Sequence, residues 1–168
     1  MAEEKKHRHG ENVEKKIILV DAVHCLVDEE GKVNEELKNY LDTLENRKII
    51  LTNAPKDKHK VFFKNIKDYD IFTLENNPSK KNPEYYKIFL DKFELSAKEV
   101  IYFEHDEDSV KSAKSIGINT VLYKNNSDEI KEFIDKNTKD EKKSKEKKHE
   151  KKQKEIKPKK ETAIVNAD

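Results

Sequence analysis

Short, continuous runs of apolar residues recur between residues 17 and 123 and alternate with segments of helical periodicity. The runs are continuous rather than alternating with polar residues, which is typical of strands that are buried on both faces of a sheet. They predict five strands, over residues 17–20, 48–54, 69–74, 99–104 and 118–123, and the fourth strand breaks into an acidic turn at 104–109.

The segments between these runs predict helices. Apolar residues recur at helical spacing over 34–45, 57–66, 83–95, 109–117 and 127–136. Asn34 can cap the first helix, Pro83 suits the first turn of the third, and Gly117 can end the fourth. A turn signal at Glu30-Gly31 predicts a small hairpin over 25–33. Strands that alternate with helices indicate an α/β fold with three layers, in which helices cover both faces of a mainly parallel five-stranded sheet.

Charge divides the chain into three parts. Residues 1–16 carry a net charge of +1 and residues 136–168 a net charge of +6, which leaves the central region near −6 although the whole chain is at +1. We therefore predict a charged extension over 1–16, a folded domain over 17–136 and a Lys/Glu-rich, low-complexity tail over 137–168 that is disordered or a solvated helix. A polyanion or an acidic protein is the natural partner for that tail.

The chain has one cysteine, Cys25, so it can form no internal disulfide, as is usual in a reducing compartment. No apolar run approaches the roughly 18 residues of a membrane span, and the N-terminus lacks the apolar segment of a secretory signal. We expect a cytoplasmic location and no membrane span.

Polar side chains that can take part in catalysis lie at or after the ends of the first four predicted strands. Asp21 ends the first strand, Thr52 ends the second, Lys80 lies in the loop after the third, and carboxylates at 104–108 follow the fourth. Ligands of parallel sheets bind beyond the carboxyl ends of the strands. A carboxylate there can attack phosphorus, while a hydroxyl and an ammonium bind phosphoryl oxygens and carboxylates hold a divalent cation.

The order and spacing of these segments resemble the haloacid dehalogenase-like (HAD) superfamily. ILVDAVHCL resembles its first motif and IILTNA its second, SKKNPEYYKIFLDKFEL resembles the lysine motif, and VIYFEHDEDSVKSAKSIGINTVLY has the shape of the fourth motif. The resemblance covers about residues 17–125 and implies a Rossmann-like HAD fold. Since few residues separate the first two motifs, it implies a member with a minimal cap or none.

The resemblance also implies roles for individual residues. Asp21, Thr52 and Lys80 would be catalytic, with Lys81 as the alternative lysine, and Thr52, Asn53 and Lys80 would bind the substrate phosphate. Mg²⁺ would be the cofactor. Its implied ligands are Asp21, the backbone carbonyl of Val23, Glu104, Asp106 and Asp108.

Several positions depart from the family pattern. Val23 stands where family phosphatases have the aspartate that moves protons to the leaving group and from water. An alignment without gaps places His105 where a metal-binding aspartate is expected. His24 and Cys25 replace the glycine and threonine of the first motif. We predict structural roles for both, because adjacent residues point apart on an extended chain.

Three functions remain open on these residues. The first is a Mg²⁺-dependent phosphatase that acts through an aspartyl-phosphate at Asp21 and is weak or specialised because of Val23; an open site suits a bulky or macromolecular phosphate. The second is a dehalogenase, which the short segment between Asp21 and Thr52 disfavours because it leaves no cap. The third is an inactive HAD-like module whose basic tail recruits an acidic partner. A response-regulator receiver is disfavoured since its phosphoacceptor would follow the third strand.

Overall fold

A computed structural model of the protein describes residues 15–138. Five strands form one sheet: β1 (Ile17–Asp21), β2 (Lys48–Thr52), β3 (Asp70–Thr73), β4 (Val100–Glu104) and β5 (Asn119–Leu122). All neighbouring strands are parallel, and their order across the sheet is β3-β2-β1-β4-β5. The chain runs outward from β1 in one direction and then returns to continue on its other side. This topology opens a crevice between the carboxyl ends of β1 and β4.

Most of the described helices begin at capping side chains that the sequence supplies. Asn34 accepts a hydrogen bond from the backbone N–H of Leu37 at the start of α1 (Glu35–Asp42). A separate 3₁₀ turn (Lys56–Lys58) leads into α2 (His59–Phe62). Asn82 caps α3 (Pro83–Lys92), and Asp106 caps α4 (Glu107–Ser115). A second 3₁₀ turn (Ala97–Glu99) precedes β4, and α5 covers residues 127–138.

Each face of the sheet has its own apolar core because successive strand residues point to opposite sides. In β1, Ile18 and Val20 pack on the face that α1 and α5 cover, whereas Leu19 packs on the opposite face. The second core is largely aromatic and includes Tyr85, Tyr86 and Phe89 of α3, together with Ala113 of α4. The predicted three-layer α/β architecture is confirmed.

Two predicted elements are shorter in the structure. The hairpin over 25–33 reduces to one antiparallel bridge between Val27 and Val33, because the Asp28 side chain accepts hydrogen bonds from the backbone N–H groups of Glu30 and Lys32 and closes a compact turn. The helix predicted over 57–66 is replaced by the 3₁₀ turn and the short α2. Its apolar residues Phe63 and Ile66 still enter the core.

The predicted extension and tail lie almost wholly outside the described residues, so the assignment of 1–16 and 137–168 stays a prediction. Within residues 15–138, no helix is long and apolar enough to span a membrane.

Gly31 and Gly117 provide a matched test of local packing. Both have positive φ, +87° and +96°, which disfavours a side chain. A Cβ at Gly31 would also lie 2.2 Å from the carbonyl oxygen of Val61, whereas one at Gly117 would meet the Ala97 Cβ at 3.5 Å. We expect Gly117→Ala to lower the free energy of unfolding by about 1 kcal/mol. Gly31→Ala should cost clearly more, as measured by urea unfolding; equal losses would contradict the close approach.

Candidate active site

Asp21 lies at the centre of the sheet's carboxyl edge. It is the last residue of β1, the middle strand, and is paired in register with Leu51 of β2. The residue as a whole is 2% exposed, so the carboxylate must find partners within the protein. These partners come from the loop before α3 on one side, and from the end of β4 and the turn after β1 on the other.

Lys80 supplies the partner for one carboxylate oxygen of Asp21. The Lys80 Nζ donates to Asp21 Oδ1 at 2.8 Å, to Glu104 Oε1 at 2.9 Å and to the carbonyl oxygen of Leu51 at 3.1 Å. These contacts use all three donor positions of the ammonium. Of the two lysines left open by the sequence, Lys80 is the one that lies at Asp21, and Lys81 is exposed.

Asn53 holds the backbone that carries Lys80. Its Oδ1 accepts a hydrogen bond from the Lys80 backbone N–H at 2.9 Å, and its Nδ2 lies 3.5 Å from Ser79 Oγ. On its other side, the loop before α3 is held to α4 because the Ser112 hydroxyl donates to the carbonyl oxygen of Lys81. The predicted binding residue Asn53 therefore positions the lysine in this structure.

Thr52 ends β2 next to Asp21 and is buried. Its hydroxyl oxygen accepts a hydrogen bond from the Ala54 backbone N–H at 3.0 Å, and a hydroxyl that accepts one bond can donate another. The Tyr85 hydroxyl fixes the Thr52 backbone, since it lies 3.0 Å from the Thr52 nitrogen and 2.9 Å from its carbonyl oxygen.

The second oxygen of Asp21 faces Cys25 and His105. Asp21 Oδ2 accepts hydrogen bonds from the Cys25 thiol at 3.1 Å and from the His105 backbone N–H at 3.0 Å, and it lies 2.5 Å from His105 Nδ1. A tight turn brings Cys25 back to Asp21. Within it His24 has φ +79°, and the backbone N–H groups of Cys25 and Leu26 both donate to the carbonyl oxygen of Ala22.

Glu104 is completely buried at the end of β4. Its Oε1 receives hydrogen bonds from Lys80 and from the Tyr102 hydroxyl, and its Oε2 receives one from the Asp106 backbone N–H at 2.9 Å. Burial and the negative charge of Asp21 raise the pKa of Glu104 to about 7, although Lys80 opposes that rise.

The other groups respond to the same environment. Burial alone would raise the pKa of Asp21, but the Lys80 ammonium and the contacts of His105 hold it below its usual value. Burial would lower the pKa of Lys80, but Asp21 and Glu104 raise it well above the ordinary value. The contact with Asp21 raises the pKa of His105, while burial and Asp21 raise that of the Cys25 thiol.

Within the acidic run 104–108, Glu104 shares Lys80 with Asp21, whereas Asp106 and Asp108 have other surroundings. Asp106 is committed to capping α4, where its Oδ2 accepts from the Ser109 backbone N–H at 2.9 Å and from the Ser109 hydroxyl at 3.0 Å. Asp108 is exposed. Within residues 15–138, the one group of three residues with potential ligand atoms that lie within 4.8 Å of one another is Asp21, Cys25 and His105.

The Mg²⁺ implied by the sequence resemblance fits this arrangement poorly. Mg²⁺ demands oxygen ligands in near-octahedral geometry. At Asp21 Oδ2 the neighbouring side-chain donors are an imidazole nitrogen and a thiol sulfur, and the Glu104 carboxylate is bound to Lys80, Tyr102 and a backbone N–H. These residues do not form a Mg²⁺ site in the arrangement that the structure shows. The set of Mg²⁺ ligands implied by the resemblance stays a prediction; beyond Asp21 it comprises the Val23 carbonyl, Glu104, Asp106 and Asp108.

The sequence analysis assigned no role in the site to three contributors, Tyr102, Tyr85 and Cys25, and it identified the position of His105 but not its contact with Asp21. Tyr102 contacts Glu104 because residues two apart on a strand share a face, a signal that was available. Tyr85 contributes through the contacts of its hydroxyl with the Thr52 backbone. Cys25 and His105 reach Asp21 only because the chain turns sharply after β1 and β4 places His105 opposite that turn.

Comparison with protein-family models and with curated protein sequences finds no match. Solved structures do match. An uncharacterized protein from Corynebacterium glutamicum superposes with a TM-score of 0.56 at 12% identity, over 73% of this chain and 94% of that protein. The core domain of a candidate phosphoglycolate phosphatase from Streptococcus pneumoniae gives a TM-score of 0.51 at 18% identity, over 71% of this chain and 96% of that domain.

A third match is a haloacid dehalogenase-like protein of unknown function from Agrobacterium tumefaciens, with a TM-score of 0.48 and 17% identity over 54% of this chain. The present chain spans 44% of that protein, which is less than half of its length.

Lys80 and Lys81 allow a test of the buried charge cluster. Lys80→Met keeps most of the side-chain volume but leaves Asp21 and Glu104 buried without their shared cation. We expect it to lower the free energy of unfolding by about 3–5 kcal/mol. The neighbouring Lys81→Met should change stability by no more than about 0.5 kcal/mol, because Lys81 is exposed. Chemical denaturation of the three proteins measures both, and similar small losses would contradict the importance of the cluster.

Proposed function

The chain has a haloacid dehalogenase-like fold, and on that premise we propose that it hydrolyses phosphate esters or anhydrides through an aspartyl-phosphate at Asp21. The observation that supports this most directly is the ion pair between Asp21 and Lys80 at the carboxyl end of the central strand. A carboxylate that stays ionised at the mouth of a parallel sheet can act as a nucleophile, and the adjacent ammonium can neutralise the incoming phosphate.

The proposed reaction has two steps. An oxygen of the Asp21 carboxylate attacks phosphorus, the bond from phosphorus to the leaving-group oxygen breaks, and an aspartyl-phosphate forms. Water then attacks phosphorus, which restores the carboxylate and releases phosphate. The positive charge of Lys80 would offset the charge of the phosphoryl group beside Asp21, and the Thr52 hydroxyl would donate to one phosphoryl oxygen from the adjacent strand end.

In the first step, no side chain at position 23 would donate a proton to the leaving group, because the proton-donating aspartate of family phosphatases is replaced there by Val23. Val23 cannot donate a proton, so a leaving group must depart as an anion. This favours aryl phosphates, acyl phosphates and anhydrides, whose leaving groups are stable as anions, over alkyl phosphates.

The substrate would approach an open site. The residues between Asp21 and Thr52 form the turn after β1 and α1, and α1 packs Leu37 and Leu41 into the core beneath the sheet. Within the described residues this segment therefore belongs to the α/β layers and provides no cap. An uncapped site suits a phosphate carried by a bulky or macromolecular partner, and the missing enclosure argues against dehalogenation of a small haloacid.

A second candidate is a non-catalytic module that binds an anionic or phosphorylated partner. It is favoured by the burial of Asp21, which is 2% exposed, and by the contacts that occupy both of its oxygens. The basic tail, outside the described residues, would then recruit an acidic partner.

Turnover of an aryl phosphate in the presence of Mg²⁺ distinguishes the two candidates. We expect slow hydrolysis by the wild type and its loss in Asp21→Asn, because an amide cannot act as the nucleophile. Asp91→Asn on the exposed surface of α3 is the control and should retain the wild-type rate. Hydrolysis by Asp21→Asn at the wild-type rate would contradict the aspartyl-phosphate, and a wild type with no turnover that still binds inorganic phosphate would favour the binding module.

The role of Val23 predicts a dependence on the leaving group. Across a series of aryl phosphates, the wild-type rate should fall steeply as the pKa of the released phenol rises. Val23→Asp restores a proton donor, so it should raise turnover of the poorest substrates by about 100-fold and flatten this dependence. Steady-state kinetics over the series measures both slopes. A wild-type rate that is insensitive to the phenol would show that another group supplies the proton.

A further inference from the structure

We propose that Asp21, Cys25 and His105 form a binding site for a divalent transition-metal ion of the Zn²⁺ class. The inference goes beyond the proposed function, since the three residues can hold a cation whether or not Asp21 turns over a phosphate. It also accounts for the poor fit of Mg²⁺, because the departures from the family motifs place nitrogen and sulfur beside Asp21.

The three ligand atoms are already close together. They lie within 4.8 Å of one another, with Asp21 Oδ2 at 3.1 Å from the Cys25 sulfur and at 2.5 Å from His105 Nδ1. A tetrahedral Zn²⁺ with bonds of about 2.1 Å to oxygen and nitrogen and about 2.3 Å to sulfur separates its oxygen and nitrogen ligands by about 3.4 Å, and its oxygen and sulfur ligands by about 3.6 Å. Outward shifts of under about 1 Å would therefore admit the ion.

The donor types select the class of metal. Imidazole and thiolate bind Zn²⁺ and its neighbours in the first transition row, whereas Mg²⁺ prefers carboxylate, carbonyl and water oxygens. A site with three protein ligands also leaves one tetrahedral position for water or a substrate oxygen, as catalytic zinc sites do. His105, with its side chain 36% exposed, lies on the solvent side of the group.

The surrounding charges accommodate such an ion. Asp21 and Glu104 are two carboxyl groups in a buried cluster that contains one lysine. With Glu104 ionised, His105 neutral and Cys25 bound as a thiolate, a divalent cation would bring the total charge of Asp21, Glu104, Lys80, Cys25, His105 and the ion to zero. The ion pairs of Lys80 with Asp21 and Glu104 can therefore stay in place when the metal binds.

Hydrogen bonds from other groups of the protein hold these three metal-ligand residues in position. Lys80 fixes the other oxygen of Asp21, the backbone N–H of His105 orients Oδ2, and the hydrogen bonds to the Ala22 carbonyl oxygen hold the turn that carries Cys25. Contacts of this kind orient metal ligands and increase metal affinity.

Cobalt provides a selective test because Cys25 is the only cysteine in the chain. Co²⁺ is added to the full-length, reduced protein without substrate. A thiolate-to-cobalt charge-transfer absorption can arise at Cys25 alone, whatever histidines or carboxylates elsewhere bind. We expect this absorption to saturate at one equivalent, to disappear when one equivalent of Zn²⁺ is added, and to persist in a hundredfold excess of Mg²⁺.

Variants assign the remaining ligands. Cys25→Ser should abolish the absorption while its hydroxyl keeps a hydrogen-bond donor beside Asp21, and His105→Ala should weaken Co²⁺ binding at least tenfold. His59→Ala, on α2, is the matched control and should bind as the wild type does. His105→Asp should raise the affinity for Mg²⁺ relative to Zn²⁺, because it replaces nitrogen with oxygen.

The wild-type spectrum decides the proposal even if a variant fails to fold. Absence of the charge-transfer absorption, or its removal by equimolar Mg²⁺, would overturn the site. A protein that shows the absorption but hydrolyses no phosphate would retain the metal site and lose the proposed activity, so the two proposals can fail separately.

Discussion

The ion pairs of Lys80 are the interaction on which the rest of the site depends. Asp21 and Glu104 end adjacent strands and are both buried, so without a cation their repulsion and desolvation would oppose closure of the sheet edge. Lys80 reaches them from a different segment, and its backbone is fixed by Asn53 at the end of β2. The Lys80 side chain thereby connects the loop before α3 to the carboxyl ends of β1, β2 and β4.

This arrangement makes the two oxygens of Asp21 different. Oδ1 contacts an ammonium, whereas Oδ2 contacts a thiol and an imidazole. A phosphoryl group attacked at Asp21 would be neutralised on the Lys80 side, and a metal ion would bind on the side of Cys25 and His105. Because the two proposals use opposite sides of one carboxylate, each can hold without the other, and a metal-bound water or substrate oxygen would lie next to the nucleophile if both hold.

The parts of the molecule that were predictable from sequence are those set by local pattern. Continuous apolar runs located the strands, Asn34 and Gly117 marked helix ends, and the alternation of strands and helices predicted the three-layer α/β fold, which the structure confirms. The ends of parallel strands also meet at one edge, which brings Asp21 and Lys80 together. The contact of Cys25 with Asp21 was not predictable, because it requires a turn with His24 at positive φ. The motif pattern placed His105 at the strand end beside Asp21, but not its direct contact with Oδ2.

The departures at Val23 and His105 have one physical consequence in common. Each replaces an aspartate expected from the family pattern with a side chain that is not a fixed negative charge, so the site keeps two buried carboxylates against one lysine. A hard cation such as Mg²⁺, whose binding rests on charged oxygen ligands, loses most from that change. A softer ion regains affinity from imidazole and thiolate, which bind it without adding carboxylate charge. The same substitutions that weaken the site for the expected cofactor therefore suit it to a different metal.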